Sequence, residues 1–336
     1  MKKLSILLIF ISLSSYAQVG GEEVFAFLNF PTSARQAALG GSVLTFTDEV
    51  NQPMWNPASI SNSIDDQVSL NYVNYLAEIN FVSAAYAHTF NEHVGTFHTG
   101  LTYLNYGTFI AADEQGVETG TFKAYDLAYS LGYAYQIPHS DFYIGANAKI
   151  ISSVIEQYSS FGIAGDLGIL YHNEFKPYRL AAVIRNAGMQ LKSYDGTQEP
   201  LPLQIHVGGS YQLEHVPIRL YGTLDNLQKW QLAYVNPSDS STDLEGNTLN
   251  EKPTFLNNFM RHVVVGAELF PEKGFSLHTG FNFQRAQELG LNQVRTFAGF
   301  SFGFGLKMKH LKLNYAFSKY HPVADSHSFS LGINLQ

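Results

Sequence analysis

The sequence predicts an all-β protein, a 14-stranded antiparallel transmembrane outer-membrane β-barrel with an N-terminal hatch segment. Three observations lead there. Beyond residue 65, bulky and small or polar residues alternate with the period of a strand whose two faces meet different surroundings. Only 14% of the residues are charged and another 14% are aromatic, whereas ordinary soluble domains carry roughly 25% charge. The connections alternate between short turns and long polar loops, the asymmetry of outer-membrane barrels.

The N-terminus comes first in order. Lys2 and Lys3 precede an apolar stretch from Leu4 to Leu13, and Ser15-Tyr16-Ala17 supplies a small-x-small cleavage site. This reads as a secretory signal peptide over residues 1–17, leaving Gln18 as the mature start. The apolar stretch is too short to span a bilayer as a helix. With no cysteine in the chain, disulfides, thiolate metal sites and cysteine nucleophiles are excluded. A net charge of −8 with no basic run argues against a nucleic-acid partner.

Residues 18–65 do not alternate and are expected to plug the lumen. Ser33 to Leu39 has the makings of a short helix, capped by Ser33 and stopped by Gly40 and Gly41. Residues 66–336 are expected to form the barrel, with strands near 67–75, 79–90, 94–106, 122–137, 141–156, 159–171, 178–188, 201–213, 216–224, 261–270, 274–285, 295–307, 310–318 and 327–335. The clearest alternation runs from Tyr125 through Leu127, Tyr129, Leu131, Tyr133 and Tyr135, with Asp126, Ala128, Ser130, Gly132 and Ala134 between them. Tyrosines outward and small polar residues inward suit lipid on one face and a polar lumen on the other. A final strand at the C-terminus is expected to pair with the first and close the barrel. The long loops fall at 107–121, 189–200, 225–260, 286–294 and 319–326. The 225–260 insertion either extends strand nine or forms a further hairpin.

The stretch Ser33-Ala34-Arg35 through Gly40-Gly41, a downstream Asp48 and Asn56-Pro57-Ala58, all preceding a barrel, resembles the long-chain fatty-acid-channel superfamily of outer-membrane proteins. Within it, the chain resembles the PorV/PorQ branch of the type IX secretion system of Bacteroidetes. The PorQ-like resemblance rests on Asn105-Tyr106-Gly107-Thr108-Phe109, on Leu213 to Arg219 and on the ending His327 to Leu331. It spans essentially the whole mature chain. The resemblance implies a hatch inside a fourteen-stranded barrel and an accessory role in attaching secreted cargo at the cell surface. A PorZ-like surface component of the attachment machinery is the implied partner, besides outer-membrane lipid.

No motif for catalysis or phosphate binding is found, and no cofactor, metal site or enzymatic role is expected. His88, His93 and His98 are evenly spaced, but a spacing of five alternates faces along a strand, so they are expected to be solvated or lumenal. The register places His98, His206, His262 and His278 in the lumen with Asp126, Asp166, Lys149, Arg185 and Glu268. Candidate hatch and lumen contacts are Arg35, Asp48, Asn56, Asp126 and Asp166. Arg35 is expected to pin the hatch to a lumenal carboxylate such as Asp126 or Asp166. Trp230 and Tyr234 mark the candidate partner-binding loop. Two main functions follow: a docking barrel for a secretion component, and a hatch-plugged channel for hydrophobic small molecules. A barrel lipase is a third class without a supporting motif.

Overall fold

The computed structural model describes residues 23–76, 78–91, 94–233, 254–289, 297–320 and 324–336, with the backbone of 241–242 and 248–249. Fourteen antiparallel strands, each paired with its sequence neighbour, form a closed barrel. We number them β1 (Gln67–Leu76), β2 (Ile79–Asn91), β3 (Gly95–Ala112), β4 (Glu118–Gln136), β5 (Phe142–Ile155), β6 (Tyr158–His172), β7 (Tyr178–Lys192), β8 (Gln204–Gln212), β9 (Ile218–Leu224), β10 (Val263–Leu269), β11 (Phe275–Asn282), β12 (Phe300–Lys307), β13 (Leu311–Ser318) and β14 (Ser326–Asn334). Closure comes from β1 on β14, with Val68 opposite Ile333 and Tyr72 opposite Phe329. The barrel leaves no edge strand to template aggregation.

The faces divide as the alternation requires. On β4, Leu131 and Tyr135 are 52% and 53% exposed, while Asp126 and Ser130 between them are 4% and 5% exposed. Outward Leu, Ile, Phe and Tyr side chains on every strand make the apolar belt of an outer-membrane barrel. Short turns after the even-numbered strands mark the periplasmic end by the usual asymmetry. No helix among the described residues is long and apolar enough to cross a membrane.

Several boundaries differ from expectation. Residues 107–121 are mostly strand: β3 and β4 continue to a tip where Asp113 accepts from the amides of Gln115 and Val117 at 3.0 and 2.9 Å. Phe109 and Phe122 stack across this extension, with centroids 5.1 Å apart. A bulge at Tyr106–Gly107 sets it off from the lower strand, Gly107 supplying a φ of +85°. β7 likewise runs on to Lys192. Residues 201–203 leave the ladder, where Pro200 and Pro202 have no N–H to give. Strand nine ends at Leu224, and a two-residue ladder joins Ser241–Thr242 to Thr248–Leu249. Helix α2 (Phe255–Arg261), capped by Thr254, replaces the expected start of strand ten. Helix α3 (Phe283–Glu288) follows β11, because Asn282 caps the Arg285 amide at 2.9 Å and turns the chain.

Residues 23–65 fill the lumen. Helix α1 (Ala34–Ala38) starts at Ser33, whose hydroxyl accepts from the Gln36 amide. It ends at Gly40 and Gly41, with φ of +96° and +95°. The expected signal peptide at residues 1–17 lies outside the described residues.

Candidate functional site: the plug and the lumen wall

The plug meets the wall at three levels. Nearest the periplasm, Arg35 forms a fork on Glu268 of β10, Nε to Oε1 at 3.0 Å and Nη2 to Oε2 at 2.8 Å. Its Nη1 reaches Asp48 Oδ1 at 3.0 Å, and its guanidinium lies 4.1 Å above the Phe46 ring. Glu268 also accepts from the Tyr221 hydroxyl at 2.7 Å and lies 3.2 Å from His278 Nε2. Lys312 of β13 binds Asp48 from the other side at 3.2 Å. A planar, bidentate pair of this kind gives orientation as well as attraction. Burial opposes ionisation of the two plug carboxyls, which lie outside the spanning strands. At Asp48 the Arg35 and Lys312 cations outweigh that burial and hold the carboxyl well below its usual range. At Glu49 burial prevails and pushes it up.

At mid-height the Asn56-Pro57-Ala58 turn lies directly on the wall. Asn56 Nδ2 donates to the Leu44 carbonyl at 2.8 Å, and its Oδ1 accepts from the Ala58 amide at 3.1 Å. Gly145 of β5 and Gly168 of β6 leave the space that this turn occupies. A methyl on Gly145 would sit 2.3 Å from the Pro57 carbonyl, and one on Gly168 would sit 2.2 Å from Asn56 Oδ1. Asn147 donates to the Pro53 carbonyl at 2.7 Å. Trp55 packs flat under Arg185, 3.5 Å from guanidinium carbon to ring centre.

In the extracellular half the lining turns apolar. Val24, Phe25, Phe27 and Leu28 of the plug cluster with Val73, Phe81, Leu104, Ile151 and Leu201 of the wall. Lys149 and Arg185 border this cluster. Lys149 bonds Asp166 and Asn186, both at 2.8 Å. Arg185 has no carboxylate partner among the described residues; it donates to Gln204 Oε1 at 2.7 Å and the Leu28 carbonyl at 2.8 Å. A cavity of about 20 Å³ remains between Phe27, Phe30, Phe81, Lys149 and Arg185, room for one water.

The expected contacts therefore divide. Arg35, Asp48 and Asn56 all lie in the plug–wall interface, and Asp126 and Asp166 point into the lumen. Arg35 does pin the plug to a lumenal carboxylate, but to Glu268 and not to Asp126 or Asp166. Asp126 accepts from Tyr106 at 2.7 Å and from Ser153, and Asp166 is taken by Lys149, both on strands away from β10. His98, His206, His262 and His278 are all buried, as the register requires. They do not gather: His98 Nε2 bonds the Val50 carbonyl and His262 Nδ1 bonds the Asp225 carbonyl. His88 instead sits at the periplasmic rim, 2.8 Å from Asp66, and His93 lies outside the described residues. Glu268, Lys312, Trp55, Gly145 and Gly168 were not singled out as plug contacts from sequence. Only the small residues of the inward face hinted at the glycines. Trp230 is half-exposed and stacks on His262 at 5.0 Å; Tyr234 lies outside the described residues.

No family model matches the chain, and no curated protein matches it. Solved structures do. The toluene transporter TbuX of Ralstonia pickettii superposes with a TM-score of 0.55 at 12% identity, covering 92% of this chain and 100% of that one. A deltaS2 mutant of the TodX monoaromatic hydrocarbon channel gives 0.54 at 13% identity, covering 90% and 97%. At such identities the likeness shows the fold, a plugged fourteen-stranded outer-membrane barrel.

Proposed function

We propose that this barrel passes small hydrophobic molecules across the outer membrane, with residues 23–65 as the plug that must yield for passage. The observation that carries this reading is an apolar patch on an otherwise polar lumen wall. Water-filled barrels line their interior with polar side chains, yet Val73, Phe81, Leu104 and Ile151 point inward here. The plug's own Phe25, Phe27 and Leu28 occupy the space against them. Arg185, without a carboxylate partner among the described residues, offers a cation to a polar end of the passenger. The fold shared with the toluene transporter and the monoaromatic hydrocarbon channel supports the same reading.

The absence of cysteine allows a direct test. Ala38 of the plug and Ala316 of β13 lie in one buried cluster, so Ala38→Cys with Ala316→Cys puts a thiol on each side of the plug–wall contact for oxidation to bridge. Oxidation is expected to abolish uptake of labelled toluene into reconstituted vesicles, and reductant to restore it. Equal uptake by the oxidised and reduced forms would sink the moving-plug reading.

A docking role in type IX surface attachment is the second reading, carried by the sequence resemblance to PorQ-like proteins. The firmness of the plug favours it, since the cavities beside Arg35 and Arg185 measure only about 40 and 20 Å³. In a deletion strain, secreted cargo released from the surface with hydrophobic uptake unchanged would favour docking. The reverse pattern would favour transport.

A further inference from the structure

The strands on one side of the barrel are too short for the membrane. β9 and β10 have 7 residues each, and β11, β12 and β13 have 8. Seven residues at about 3.3 Å each, tilted by about 40°, rise only about 18 Å, against an apolar band of about 25 Å. The missing height is not on the periplasmic side. There Glu214, Glu272, Lys273 and Lys309 hold charge in the turns and fix that boundary.

The described residues that flank the outer ends of these short strands expose large apolar side chains. Trp230 follows β9, Phe255 and Leu256 precede β10, and Phe297 precedes β12. They are 46%, 72%, 65% and 75% exposed. Three polar residues of the same segments are buried, Asp225, Asn258 and His262 at 8%, 4% and 0% exposed, while Gln228, Gln231 and Asn257 are open. His262 Nδ1 and Nε2 lie 2.7 and 3.0 Å from the Asp225 and Trp230 carbonyl oxygens. Asn258 accepts from the Leu232 and Ala233 amides at 2.9 and 3.0 Å and also donates to the Trp230 carbonyl. The open polar side chains of α2, Asn257 and Arg261, bond each other at 3.2 Å. Apolar side chains outward with polar groups satisfied inward is the arrangement of the barrel wall itself, and water gives no reason for it.

We propose that Trp230, Phe255, Leu256 and Phe297 form a collar immersed in the outer leaflet, completing the apolar band where the strands stop short. The occupant of this surface is lipid acyl chain. The collar continues the outward-facing Val265, Phe300 and Phe302 of the strands beneath it. A tryptophan at this height fits the interfacial belt that barrels use to anchor themselves. This assignment stands on the membrane fold and is independent of what the lumen carries.

The chain has two tryptophans, and Trp55 is shut inside the plug at 3% exposure. In a Trp55→Phe variant reconstituted into phosphatidylcholine vesicles, Trp230 reports alone. Lipid brominated near the headgroup is expected to quench its emission, as for a belt tryptophan, while aqueous acrylamide has little effect. Quenching by acrylamide without quenching by bromolipid would put the collar in water. Resistance to both quenchers would mean that protein covers it. Either result overturns the proposal. The difference between wild type and Trp230→Phe gives the same reading with the plug unaltered.

Discussion

The two halves of the barrel hold the same plug by partly different means. β3 to β7 run for 14–19 residues, β8 to β14 for 7–9. On the tall half the plug touches backbone: the Asn56-Pro57-Ala58 turn presses into gaps left by Gly145 and Gly168. On the short half the plug backbone also presses on a glycine, Gly280, where a methyl would sit 2.1 Å from the Gly40 nitrogen, and charge is added through Arg35 on Glu268 and Asp48 on Lys312. Close packing tolerates no added volume but needs no partner. An ion pair tolerates small shifts but fails when either member is lost. Both halves seat the plug by close approach at glycines, and the difference lies in the ion pairs that the short half adds.

Breaking the short half should have the largest effect. Arg35→Ala leaves Glu268 buried without its cation, and removal of one partner from such a pair typically costs about 3–5 kcal/mol. The temperature of heat-induced mobility change on gels should fall clearly. The double variant Arg35→Met with Glu268→Met should recover much of the loss, since no uncompensated charge remains. No recovery would mean that the fork does more than neutralise Glu268.

The tall half should answer to volume. Gly145→Val drives side-chain atoms into the Pro57 carbonyl and should destabilise the plug by about 1–3 kcal/mol, the usual range for overpacking. Gly222→Ala on β9 is the control, because a methyl there meets nothing within 4 Å. Equal protease sensitivity of the plug in both variants would contradict the close-contact account.

Above the tall half lies the β3–β4 extension, beyond the bulge at Tyr106–Gly107. Replacing residues 110–121 by a two-residue turn should change barrel stability by no more than about 0.5 kcal/mol, the ordinary scale for surface changes. A two-residue deletion in β10 should instead prevent insertion, which outer-membrane fractionation would show.

The smallest effect is expected from pH. Asp48 has a depressed folded pKa, so its contribution is complete above its unfolded value near about 4 and is lost as pH falls through the lower folded value. Its side chain is 44% exposed, so solvent screening keeps the effect small. Protection of the plug from protease should not fall between about pH 8 and 5, because Glu49, pushed up by burial, gains stability as it takes up its proton, and should weaken only below about 4. A loss near neutrality would implicate another group.

Much of the barrel was legible in the sequence because a strand has a strict period of two. Tyr129 and Leu131 had to face lipid once Asp126 and Ser130 faced inward. The Ser33 cap and the Gly40-Gly41 stop were legible for a similar local reason, since each acts on backbone within a few residues. The strand extensions at 107–112 and 118–121 were not, because polar alternation above a membrane looks like a loop. The period also assigns a residue to a face without giving its height or its place around the ring. Arg35 and Glu268 are 233 positions apart, and Asp126, Asp166 and Glu268 all carried the same inward signature. Which carboxylate meets the guanidinium depends on the closure of all fourteen strands and on the path of the plug between them. The alternation alone determined the barrel, its lipid face and its lumen face. Only the tertiary structure decided which inward residues touch, because strand number, stagger and plug path together set the distances across a lumen.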